Sequence, residues 1–197
     1  MHKRQQIRET LVRILTANSG TSEAPVYPTS CGLRVYKMRP TPLWESELPA
    51  ICIYANNERG VKKISDSLDP VYRRPLSVSI DIVAQVSDDL DDILDGIAEQ
   101  VEQVIGDNLI LKDQNGKRFP FANKIDLDDN ATEISLVDTG RAVVGSCRIG
   151  IVIPYDSTLG EAPDLENADD FERVNVKYET VTGAKAEDLF NVRTSDE

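Results

Sequence analysis

Residues 76–107 constrain the fold more than any other part of the chain. In "LSVSIDIVAQV", Leu76, Val78, Ile80, Ile82, Ala84 and Val86 alternate with Ser77, Ser79, Asp81, Val83 and Gln85. A period of two with one apolar face describes a strand half-buried in a sheet, and Pro75 is the expected start of it. The segment that follows, "SDDLDDILDGIAEQVEQVIGDN", places Leu90, Ile93, Leu94, Ile97, Ala98, Val101, Val104 and Ile105 on one stripe at helical spacing. Ser87 is the expected N-cap. Asp88, Asp89, Asp91 and Asp92 complement the positive end of the helix dipole, and Gly106 is placed to end the helix. Each large aliphatic on the stripe contributes about 1.5–3 kcal/mol when fully buried, so this helix must lie on a sheet.

The remaining elements are weaker. Ile7, Leu11, Ile14 and Leu15 share one helical face, with Lys3, Arg4, Arg8 and Arg13 around it and Gly20 as the expected stop. Leu33, Val35 and Tyr36 suggest a short strand halted by Pro40 and Pro42. A second strand, Ala50–Ala55, follows Pro49, with Trp44 before it as a plug over the end of the core or an interface anchor; the plug is preferred. "NNERGVKKISDSLDPVYRR" reads as a long charged loop, and Asn115-Gly116 as a tight turn. Two long strands lie within Asn123–Val137 and Ala142–Tyr155, with Gly140 at the turn and Gly145 at a bulge or a close-approach point. The expected class is α+β, a mainly antiparallel sheet with two helices on one face. The expected organisation is a core over 1–155 and an acidic extension over 156–197. Within the extension, Val174, Val176 and Tyr178 alternate as a short strand suited to pairing with a sheet edge, in this subunit or a neighbour.

Length and composition restrict function. The 197 residues, 40% hydrophobic and 28% charged, suit one soluble domain with an extension. No apolar run reaches the ~18 residues of a membrane span, and "MHKRQQIRETLVRIL" lacks the apolar block of a signal peptide, so the expectation is a protein that stays in the cytoplasm of its cell. Cys31, Cys52 and Cys147 are too scattered for a disulfide framework or a metal clip, and Cys52 and Cys147, inside apolar runs, read as core residues. The net charge of −12 is uneven. Residues 1–80 hold 12 Lys or Arg against 7 Asp or Glu, a balance of +5, and residues 81–197 hold 10 against 27, a balance of −17. Such an acidic chain is no phosphate-gripping DNA binder. The asymmetry also lets neighbouring copies meet basic part to acidic part, although folding can mix the two.

No chemistry-bearing motif survives inspection. The one histidine, His2, sits at an end expected to fray, so no Ser or Cys nucleophile has a base. "VVGSCRIG" fails the nucleophile-elbow spacing at Val144 and Arg148, and no Walker A or GxGxxG run exists. "DLDDNATEISLV" matches a calcium loop at Asp126, Asp128 and Asn130 but has Ala131 and Val137 where Gly and Glu are needed; a polar turn is the commoner reading. The carboxylates of "DDLDDILD" are explained by dipole compensation and solubility. Arg59, Lys62, Lys63, Arg73 and Arg74 make the long loop cationic, which suits an acidic protein partner better than nucleic acid, given how few aromatics could stack on bases. Asn130-Ala131-Thr132 matches a glycosylation acceptor that a chain without a secretion signal does not use.

Four segments in order, "IRETLVRIL", "RVYKMRPTPLWESELPAICIY", "RRPLSVSIDIVAQVSDDLDDILDGIAEQVEQVI" and "GSCRIGIVIPY", resemble the tail terminator (tail completion, minor tail protein U-like) proteins of long-tailed bacteriophages. The resemblance covers about residues 5–155. It implies a structural subunit, not an enzyme, with no cofactor and no bound metal. It further implies a ring, typically hexameric, at the head-proximal end of the tail tube. Such a ring halts tube polymerisation and offers a surface to neck or head-completion proteins, while DNA passes through without specific binding. The expected location is the virion, after assembly in the host cytoplasm. Ring closure requires a patch on one copy to fit a different patch on the next. The candidate contact residues are Arg59, Lys62, Lys63, Arg73, Arg74 and Trp44, with Phe171, Val174, Val176 and Tyr178 in the extension. An acidic channel wall is expected, since repulsion keeps DNA from sticking. The alternatives are another neck component (a head-completion adaptor or stopper), a metal-dependent enzyme using Asp88–Asp95 or Asp126–Asp129, and a monomeric adaptor domain.

Overall fold

The alternating strand is the organising member of the sheet. In the computed structural model, which describes residues 2–39, 41–65, 69–86, 89–138, 143–158, 173–179 and 185–191, it is β4, Val71–Val86. It pairs along its whole length with β6, Val143–Thr158, in antiparallel register from Val71 opposite Thr158 to Val86 opposite Val143. On its other side lies β2, Ala50–Glu58, also antiparallel, with Ile51 opposite Ile82 and Ile53 opposite Ile80. β1, Val35–Lys37, is parallel to β2, and β5, Asp126–Asp138, is antiparallel to β6. β3, Lys62–Lys63, pairs with β4 at Arg73 and Tyr72. The strand order is therefore β1-β2-β4-β6-β5, with β3 attached to β4.

One face of this sheet carries the core. Leu76, Val78, Ile80, Ile82 and Ala84 of β4 are buried, as are Ile51 and Ile53 of β2 and Cys147, Ile149, Ile151, Ile153 and Tyr155 of β6. Two helices close this face. α1, Lys3–Leu15, packs on β1 and β2 through Ile7, Leu11 and Leu15; α2, Leu90–Asp107, packs on β4 and β6 through Leu94, Ile97, Ala98 and Val101. The fold is α+β, a mainly antiparallel sheet with two helices on one face, as the two periodicities dictate.

The ends of the elements differ from the sequence expectations, for local reasons. His2 is the N-cap of α1, its Nδ1 accepting the Arg4 N–H at 3.2 Å. α1 ends at Thr16, whose hydroxyl donates to the Val12 carbonyl at 2.8 Å, ahead of Gly20. α2 begins after Asp89, in a left-handed conformation (φ 57°) with no side-chain cap bond; Ser87 lies outside the described residues. Gly106 does not stop α2, which ends at Asn108 with its amide donating to the Val104 carbonyl at 2.9 Å.

The "long loop" after residue 55 is partly strand among the described residues. β2 runs on to Glu58, Gly60 turns the chain at φ +67°, and β3 folds back on β4. Charged strands show no alternation of apolar residues, so their pairing was invisible. Pro75 does not open β4 but lies inside it, opposite Pro154 on β6. Two residues without N–H groups share one register pair, and neither ladder loses a bond it required. The register breaks lie between Ala55 and Asn57 and between Leu127 and Thr132, not at Gly145, which pairs regularly with Ala84 and Leu136. "DLDDNATEISLV" is thus bulged strand rather than a turn. Asn115-Gly116 forms the expected turn, with Asp113 Oδ1 accepting the Asn115 and Lys117 N–H groups. Gly140 is outside the described residues.

The chain divides into two units, Met1–Glu161 and Ala162–Glu197. In the second, β7, Arg173–Glu179, pairs antiparallel with β8, Lys185–Asn191, from Arg173 opposite Asn191 to Glu179 opposite Lys185. The alternation in "RVNVKYE" announced β7. "KAEDLFN" has none, so its partner strand went unread.

Candidate interface surfaces

The cationic residues nominated as contacts have different fates. Glu58, at the end of β2, accepts the Tyr155 phenol at 2.6 Å on one carboxylate oxygen and Arg74 Nη1 at 3.1 Å on the other. Arg4 Nε, from α1, stands 3.5 Å from the same carboxylate, and its Nη2 donates to the Ala55 carbonyl at 3.2 Å. Burial pushes the Glu58 carboxyl upward, but the bonds from Tyr155 and Arg74 and the charges of Arg4 and Arg74 prevail, and its pKa lies below the ordinary value. Burial, then the bond to Glu58, push the Tyr155 phenol up. Arg74 is therefore an internal clamp tying α1, β2, β4 and β6 together.

Arg73 is also engaged, in a bidentate pair with Asp156 (2.9 and 3.0 Å), its register partner on β6. The hydrogen bond to Asp156 raises its pKa. This is one place where folding joins the basic and acidic halves within a subunit. Arg148 repeats the device with Asp81 at 2.8 and 3.0 Å. Arg59, Lys62 and Lys63 are exposed at the β3 end of the sheet, Lys63 with an interaction of its own.

Trp44 belongs to another surface. It is 75% exposed, so the plug expectation is wrong. Its loop is nevertheless built. Arg39 makes a bidentate pair with Glu47 (2.7 and 2.8 Å), donates to the Thr41 and Pro42 carbonyls, and stacks 4.7 Å over the Tyr36 ring. Glu47 in turn accepts the Trp44 N–H at 2.8 Å, and the bond from Arg39, with that backbone bond, lowers its pKa. These bonds fix the backbone at Trp44, and its indole stands exposed. Beside it a groove of about 530 Å³ runs between α1 and the β1 edge, lined by Glu9, Val12, Val35, Tyr36, Lys37, Arg39 and Thr41. Trp44 precedes β2 and Arg59 follows it, and the nine extended residues of β2 span about 25–30 Å. The nominated residues of the first unit are thus two patches, not one. Val174, Val176 and Tyr178 lie on β7, and Phe171 is outside the described residues.

The opposite edge of the sheet was not anticipated at all. Glu133, Ile134 and Ser135 are consecutive and all exposed, so neither face of β5 is covered there. Leu127 (63% exposed) and Ile134 (47%) sit opposite Ile151 and Cys147 on the helix side of the sheet, but α2 lies over β4 and β6. Tyr155, by contrast, could have been found: the alternation of Ile149, Ile151 and Ile153 carries it inward.

Cys31, Cys52 and Cys147 are free and buried. Among the described residues, no three His, Cys, Asp or Glu side chains gather as a metal site, and no helix is long and apolar enough to cross a membrane.

No family model matches the chain, and no curated protein matches it. Among solved structures, it is similar to a chain from the virion of a native gene transfer agent (GTA) particle, with a TM-score of 0.44 and 10% identity over 78% of this chain and 97% of that one. A likeness this loose brings no function with it.

Proposed function

We propose that the protein is a virion structural subunit of the tail-terminator kind. It forms a ring, hexameric in the simplest case, at the head-proximal end of a tail tube, stops tube growth and presents the surface that neck or head-completion proteins join. The observation that carries this reading is the position of the resembling segments. "LPAICIY", "SVSIDIV" and "GSCRIGIVIPY" are β2, β4 and β6, three adjacent strands at the centre of one sheet, and "IRETLVRIL" and "DDILDGIAEQVEQVI" are the two helices that cover them. Segments that resemble one family in order also form one core in space.

The role needs no turnover step, cofactor or metal. Its partners are further copies of itself, the tail tube protein and neck proteins, with DNA passing an acidic channel wall. Arg59, Lys62 and Lys63 form one contact patch and Trp44 a second, while Val174, Val176 and Tyr178 place β7 against a neighbouring subunit. The test is electron microscopy of the purified protein mixed with tail tubes. Rings capping the end distal to the baseplate or tip are expected. Uncapped tubes that keep growing defeat the reading, and binding only to isolated neck components assigns the protein to the neck.

A further inference from the structure

We propose that copies of this chain join edge to edge, the β5 edge of one protomer docking along the β1 edge and α1 groove of the next. The proposal deepens the ring reading and rests on its self-association, not on its tail tube.

Among the described residues, both ends of the strand order are open. β1 pairs with β2 and β5 with β6, and each leaves its other side unpaired in the sheet. An open edge is a row of unpaired N–H and C=O groups, which natural proteins cover or protect. β5 is thirteen residues long, and past the break between Leu127 and Thr132 it pairs without interruption from Thr132 to Asp138.

The apolar surface at the two edges lies on the same side of the sheet. Leu127 and Ile134 face the helix side, each in register with a buried core residue of β6. The groove at the other edge also lies on the helix side, because α1 supplies Glu9 and Val12 to its wall and β1 supplies Val35, Tyr36 and Lys37. A β5 strand that extends the sheet past β1 brings Leu127 and Ile134 alongside α1, over Val12 and Val35. Without a second copy, these two side chains stay in water beside a sheet whose helix layer stops short of them.

Charge selects which edges meet. β5 carries Asp126, Asp128, Asp129, Glu133 and Asp138 and no Lys or Arg. Residues 3–39, which build α1 and the β1 edge, carry seven Lys or Arg; Lys37 pairs with Glu9, Arg39 with Glu47 and Arg4 with Glu58, and the balance against Glu9, Glu23, Glu47 and Glu58 stays positive. Two β5 edges repel one another, as do two β1 edges, whereas the mixed pairing is attractive. The contact is therefore heterologous, the type that closes into rings.

Cross-linking reads the contact directly. One preparation carries Lys37→Cys and another Ile134→Cys, and a short bismaleimide is added to each alone and to the mixture. The three native thiols are buried, so the unsubstituted protein is the silent control. Cross-linked dimer in the mixture alone is expected. Ile134→Asp, at an exposed position, should leave the circular dichroism spectrum unchanged and weaken self-association by about tenfold or more. Dimers within either single variant overturn the proposal, because they report like edges meeting. Rings seen by native mass spectrometry without a cross-link in the mixture overturn it while leaving the ring reading intact. Single-chain mass in every preparation, with and without tail tubes, ends both.

Discussion

The Tyr155 phenol donates a 2.6 Å hydrogen bond to Glu58, 97 residues away in the chain. Tyr155 is 2% exposed, and its carboxylate partner also holds Arg74 and Arg4. One acidic residue thus joins the first helix to three strands. Removing the phenol leaves a half-buried carboxylate oxygen without its shortest donor. Tyr155→Phe is expected to destabilise the first unit by about 1.5–3 kcal/mol, the range for hydrogen bonds to charged groups. Denaturant unfolding followed by circular dichroism measures it; an unchanged midpoint means the bond contributes nothing net.

The same pair sets the pH response. The folded-state pKa of Glu58 lies below the ordinary 4.5, so its contribution is fully present above that value and fades as pH falls through the folded pKa. The Tyr155 phenol is raised above its ordinary 10, so its contribution is lost as pH climbs past 10, where the unfolded chain releases the proton first. Stability should decline on both sides. Glu58→Gln should flatten the acid limb relative to the native protein, and parallel acid limbs in the two proteins would rule Glu58 out as its source.

Burial separates two residues that look equally prominent in the sequence. Ile80 is fully buried between β2 and β6, and Ile80→Ala should cost about 2–5 kcal/mol. Trp44 is exposed, and Trp44→Ala should change stability by no more than about 0.5 kcal/mol while weakening assembly. Thermal unfolding of both variants, with native mass spectrometry of the second, reads the contrast. A large loss of stability in Trp44→Ala contradicts its exposure.

The cross-strand pair of Arg73 and Asp156 is partly in water. A double-mutant cycle with Arg73→Ala and Asp156→Ala should give a coupling of about 0.2–1 kcal/mol that shrinks with added salt. A salt-independent coupling would mean that the two substitutions disturb packing instead.

Truncation tests the extension. β6 runs to Thr158, and the Asp156 N–H donates to the Phe121 carbonyl at 2.8 Å, so the cut belongs after Glu161, where the two units divide. Residues 1–161 should keep the far-ultraviolet spectrum and a cooperative thermal transition but form rings less well. Rings of unchanged yield by native mass spectrometry remove the extension from the assembly.

How much of this was legible follows from the range of each interaction. The alternation from Leu76 to Ala84 and the stripe from Leu90 to Ile105 are local patterns, each produced by one face meeting the core, and both elements were read correctly. β3 and β8 were missed because a charged strand announces itself only through its partner. Pro75 was misread as a boundary because whether a strand tolerates proline depends on the ladder opposite, here Pro154. Of the nominated residues, Arg59 and Lys62 are exposed, as charge in a charged segment usually is. Arg73 and Arg74 look the same in sequence, yet one faces Asp156 and the other Glu58.

"WESELPAICIY" holds both lessons. The apolar run after Pro49 was enough to predict a buried strand, since a chain can only hide Ile51 and Ile53 by putting them in a core. Where Trp44 points was not in the run. It depends on Arg39 reaching Glu47 and Glu47 reaching back to the Trp44 N–H, contacts that exist only once the chain has turned. By itself the sequence determined which faces are apolar and therefore which elements form. The tertiary structure decided which charges are spent inside the subunit and which edges and side chains remain for a partner, because pairing between residues far apart in the chain is a property of the assembled sheet.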